Sequence, residues 1–171
     1  MTDEVAESTP APLVAEAMKK AAIAWVAVAD GPAVGLWCVP LDGALYVASG
    51  PGEQAAPGLA EASTATVTLR GDHGGRIVTW RAEVRRVEPG SQLWTEAAPL
   101  VAAKRLNAPG SAAELVERWA AECVLSRLVP VDAPLAAGAT LPDDSLAEPP
   151  RPTGAVRRPR NPFRLHRVRR R

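Results

Sequence analysis

Apolar and polar residues alternate with period two along residues 66–70 and again along 78–85. That period places successive side chains on opposite faces of a strand. Val67 and Leu69 point away from Thr66, Thr68 and Arg70, while Val78, Trp80, Ala82 and Val84 oppose Thr79, Arg81, Glu83 and Arg85. Between the two runs, Asp72-His73-Gly74-Gly75 supplies residues that tolerate positive φ, so a hairpin is predicted. Upstream, residues 22–29 are apolar on both faces, as in a central strand. Residues 33–40 read as a second strand, and Asp42-Gly43 is a two-residue hairpin signal leading into 45–49. Strands joined by such short turns describe an antiparallel meander.

The period changes elsewhere. Residues 12–20 read as a helix with Leu13, Val14, Ala17 and Met18 on its apolar side. Pro57 suits the first position of a brief helix packed through Leu59. Ser91 caps a helix over 92–97, and 99–106 reads as helical again, carrying Lys104 and Arg105. Ser111 with Glu114 forms a capping box for a helix through Ala121, with Leu115 and Trp119 on its buried side. Residues 123–131 give the last strand. The fold class is therefore mainly β with peripheral helices, and its six antiparallel strands, five of them within 22–87, suggest a closed or split barrel. Closure removes exposed edges.

Composition adds a boundary. The 171 residues are 47% hydrophobic but only 4% aromatic, and five of the seven aromatics are tryptophans, so Ala and Val must fill most of one core. The net charge of +1 hides a division: residues 151–171 hold nine arginines and no acid, leaving 11 basic against 19 acidic residues in 1–150. The body carries the wrong sign for nucleic acid, whereas the tail suits nucleic acid, an anionic surface, or the acidic body itself. We expect a flexible N-terminus at 1–11, one domain at 12–131, and a disordered Pro/Ala-rich linker and Arg-rich tail at 132–171. The longest apolar run, 21–29, is too short for a membrane span. Cys38 and Cys123 stand in apolar settings without a CxxC pair, which predicts reduced thiols and a cytoplasmic protein.

Candidate chemistry is sparse. There is no nucleophile–base pair, P-loop or pair of carboxylates at useful spacing, so no catalytic residue is assigned. His73 lies in a glycine turn, His166 in the tail, and no metal site is expected. The irregular loop 49–54 is the first candidate for a ligand edge. Its Glu53 and Gln54 read as solvated loop residues or as ligand contacts. Arg70 and Arg81 read as outer-face strand charges or ligand contacts, and Lys104-Arg105 as helix-end charges or phosphate binders.

Taken in order, the leading helix, AIAWVAVADGPAVGLWCVPLDGALYVAS, the loop ending in Leu59, ATVTL and VTWRAEV resemble the FMN-binding split barrel of the pyridoxamine 5′-phosphate oxidase-like superfamily, in its small uncharacterised actinobacterial type. The resemblance spans 12–131 and implies a six-stranded antiparallel Greek-key split barrel. It implies a homodimer binding flavin between subunits, with Val47, Ala48 and Ser49 meeting the cofactor. The family's phosphate-gripping Lys or Arg falls here on Gln54 and Ala55, neither basic, which leaves Arg70, Arg76, Lys104 or Arg105 of either subunit to supply the charge. The function implied is an FMN-dependent oxidoreductase of unknown small-molecule substrate. The alternatives are an F420-dependent reductase, or a cofactor-free binding or scaffold module.

Overall fold

A computed structural model describes residues 10–71 and 75–141. The expectations for residues 1–9, the turn at 72–74 with His73, and the tail at 142–171 lie outside the described residues. Seven strands and three α-helices follow one another: α1 (Pro12–Lys19), β1 (Ile23–Ala27), β2 (Val34–Trp37), β3 (Val39–Leu41), β4 (Ala44–Ser49), β5 (Thr64–Arg70), β6 (Arg76–Arg86), α2 (Gln92–Ala103), α3 (Ala112–Glu122) and β7 (Val124–Ala137). The sheet order is β2-β1-β5-β6-β7-β4-β3, with every neighbouring pair antiparallel. The two edge strands are separated in the chain by Cys38 alone. One bent segment thus leaves one edge of the sheet and joins the other, and the sheet curls into a nearly closed barrel. Its element order is that of the split barrel.

This bend corrects the expected strand count from six to seven. The run 33–40 breaks at Cys38, whose amide donates to Ala22 O at 3.0 Å while its thiol points toward Ala21 O. Alternation along the sequence cannot reveal a bend imposed by barrel closure. The turn into β4 is as expected, with Asp42 and Gly43 both at positive φ (46° and 70°). The helix expected after Pro57 is absent. Gly58 sits at φ 75° and interrupts any right-handed turn, leaving two tight turns closed by Leu59 N→Ala56 O and Ala62 N→Leu59 O. Leu59 still reaches the core. Residues 92–103 form one helix rather than two, because Pro99 and the Thr95 a turn before it both face solvent. β7 runs past Val131 to Ala137, with Asp132 at φ 61° where its pairing to β6 shifts register.

Two cores result. Inside the barrel, Ala24, Val26, Leu36, Leu45, Val47, Val67, Leu69 and Trp80 meet Val14 and Met18 of α1. Outside it, the opposite faces of β4 and β7 bury Tyr46, Ala48 and Leu125 against Trp94, Val101, Leu115 and Trp119 of α2 and α3. β4 is therefore buried at every position, with one face in each core. The outer side of β1 and β2 is different. Trp25 and Trp37 are only half-buried there, and Ile23 is 46% exposed.

Candidate functional site: the barrel seam and the loop after β4

β4 ends at Ser49, and two glycines then turn the chain back, Gly50 at φ 135° and Gly52 at φ 75°. A Cβ on Gly50 would stand 3.0 Å from Cys123 Cα, and one on Gly52 would stand 2.8 Å from the Arg118 guanidinium. Backbone therefore passes against the end of α3 where side chains do not fit. The turn delivers Glu53 inward, its side chain only 4% exposed. The Glu53 carboxylate accepts from Arg105 Nε at 2.9 Å, Arg118 Nη2 at 2.6 Å and Trp119 Nε1 at 3.0 Å. Burial pushes the Glu53 carboxyl up. The hydrogen bonds from Trp119, Arg105 and Arg118 outweigh that and hold it below the usual carboxylate range. Arg118 also donates to Pro51 O, so the loop is stapled to α3 through both side chain and backbone.

The next residue closes the barrel. Gln54 pairs with Ser49 across the loop, and its side-chain amide meets the edge of β2, accepting from Trp37 N and donating to Gly35 O at 3.1 Å. One side chain occupies the place of a missing neighbour strand. The Arg105 guanidinium lies over the Trp37 ring at 5.7 Å, and Arg70 lies over the Trp25 ring at 4.9 Å.

The structure thus gathers Ser49, Gln54 and Arg105 around the seam. Val47 and Ala48 are buried, and their backbones, with that of Ser49, pair with β7. Lys104 lies elsewhere. It caps α2 and lines a groove of about 350 Å³ beside Lys19 and the Asp42-Gly43 hairpin. A cleft of about 380 Å³ does open beside Ser49, but its charged lining residues are Glu53, Glu61 and Glu122. Among the described residues there is no group of three or more side chains able to hold a metal ion, and no helix is long and apolar enough to cross a membrane.

Sequence reasoning missed the anchoring role of Glu53 and did not single out Arg118. A weak signal exists: Arg118 immediately precedes the buried Trp119, so its guanidinium emerges at the border of the helix's apolar face. Both thiols are free and buried. Burial pushes the Cys38 thiol up to about 12 and raises Cys123 as well.

No family model matches the chain, and no curated protein matches it. Solved structures do resemble it. One is HutZ, the heme storage protein from Vibrio cholerae, at 17% identity over 77% of this chain and 96% of that chain, with a TM-score of 0.48. A second is a FAD-binding protein (mll6688) from Mesorhizobium loti, at 18% identity over 68% and 84% of the two chains, TM-score 0.47. A third is a candidate 5-nitroimidazole antibiotic resistance protein from Bacteroides thetaiotaomicron, at 14% identity over 70% and 78%, TM-score 0.46.

Proposed function

We propose that this chain is a homodimeric split-barrel flavoprotein that binds FMN between its subunits and acts as an oxidoreductase on a small molecule. The observation that carries the reading is the outer wall of β1 and β2. Half-buried Trp25 and Trp37 there offer flat apolar surface to a planar ligand, and the Arg70 guanidinium over Trp25 adds positive charge for an anionic one. When bound, the flavin supplies the redox chemistry, and the chain binds and orients it. The loop after β4 does not fit the phosphate: its cleft is lined by glutamates, and Arg105 already serves Glu53. We assign the phosphate to Arg70, which lies over Trp25 on that wall, with Lys104 as the alternative cation, in this subunit or its partner. F420, which also carries phosphate, is the alternative cofactor.

A second reading is favoured by a specific observation. Glu53 and Gln54 spend the loop's polar groups on holding the barrel shut, which suits a cofactor-free binding or scaffold module. FMN titration, with light scattering on the same sample, separates the two. The flavin reading expects a dimer mass, saturable binding, and a loss of about 10- to 150-fold in affinity for Arg70→Ala or Lys104→Ala, as removal of a charge-assisted hydrogen bond entails. Equal binding in every variant removes the phosphate assignment. No binding of FMN or F420 by the wild type leaves the cofactor-free module.

A further inference from the structure

A third cavity opens at the barrel mouth, where two turns face each other. Val28 O accepts from Gly31 N at 3.0 Å in one, and Ala56 O accepts from Leu59 N at 3.1 Å in the other. The turns lie close together: a Cβ on Gly58 would sit 3.5 Å from Val28 Cγ1. Between them lies a partly open pocket of about 100 Å³. Its floor is the barrel core itself, Val26, Leu36 and Leu59, all buried. Val28 and Val34 form its walls, and Pro32 and Pro57 stand at the rim.

No lining side chain carries a polar atom, and both turn carbonyls already accept a hydrogen bond. A water molecule inside would find few of the polar partners it needs. Fixed φ at each proline and a hydrogen bond across each turn hold the rim in place, so the pocket is formed before anything enters. Dry apolar cavities of somewhat larger size, about 150 Å³, take up benzene or xenon. We propose that this mouth is a binding site for one compact apolar group, such as an isopropyl group or a small ring. The partial opening leaves the polar remainder of the ligand outside. Ala56 and Pro57 also wall the cleft beside Ser49, so that remainder has a polar cavity next door. The site exists whether or not flavin binds.

The test is a benzene titration of the full chain followed by methyl-resolved NMR. The expected result is a saturable shift of the Val26, Val28, Val34, Leu36 and Leu59 methyls, with the exposed Leu106 and Leu135 methyls unmoved. Ala56→Leu, which fills the space, should abolish the saturable shift while keeping a folded spectrum. If that variant does not fold, Val34→Ile adds a single methyl and should weaken binding. Wild-type methyls that stay still, or that shift without saturation together with Leu106 and Leu135, overturn the proposal. Saturable binding unchanged in the folded filling variant overturns it equally.

Discussion

At the scale of single residues, Glu53 decides how the loop after β4 behaves. A carboxylate this buried survives because three donors converge on it, and two of them, the Arg105 and Arg118 side chains, remain about a quarter exposed (25% and 27%), so their own desolvation is limited. The folded protein holds Glu53 below the ordinary 4.5 and so binds fewer protons there than the unfolded chain. Its contribution is complete above pH 4.5 and is lost as pH falls through the lowered folded value. We expect Glu53→Gln to destabilise the protein at neutral pH by about 1.5–3 kcal/mol, the worth of hydrogen bonds to a charged group. We also expect it to flatten the acid limb of stability. Urea midpoints measured from pH 7 to pH 3 check both, and parallel acid limbs in wild type and variant would sink the assignment. None of this was legible in the sequence, because Arg105 and Arg118 come from positions 52 and 65 residues away.

At the scale of elements, the sequence reads well wherever one face of a strand decides its alternation. β5 and β6 turn inward the apolar sets that their period-two patterns mark, and α3 begins at the capping box that Ser111 and Glu114 spell out. It reads poorly where tertiary contacts set the backbone. Pro57 promised a helix, yet Gly58 packs against Val28 in a left-handed conformation. A substitution distinguishes the two states by sign. In a helix, Gly58→Ala would stabilise by about 0.5–1 kcal/mol. At φ 75° it should instead destabilise by about 1–2 kcal/mol, the cost of placing a Cβ in the left-handed region. A higher thermal midpoint for Gly58→Ala would show that a helix forms there after all. The candidate site was half legible: the loop 49–54 was marked by its glycines, but not the direction in which its side chains turn.

At the scale of the whole molecule, the asymmetry between the two sides of the barrel matters most. α2 and α3 cover β4 and β7, with Trp37 packed at the edge of that core, while the wall of β1 and β2 shows half-buried Trp25 and exposed Ile23 to the outside. Trp and Arg are the residues that tight interfaces favour. The joint at Cys38 carries another consequence, for the order of assembly. The segment through Cys38 belongs to both edges of the sheet, so local hairpins alone cannot complete the barrel. β7 must first come back to β4, pairing Leu45 with Leu128 across most of the domain. Loop-closure entropy makes such distant pairing slow, and the joint can seal only afterwards. The last contact made should also be the first to let go. In hydrogen exchange, the Trp37 amide, held by the Gln54 side chain, should open at lower free energy than the amides of Val67 and Trp80 in the central strands. Equal protection at all three would mean that the barrel opens only as one unit.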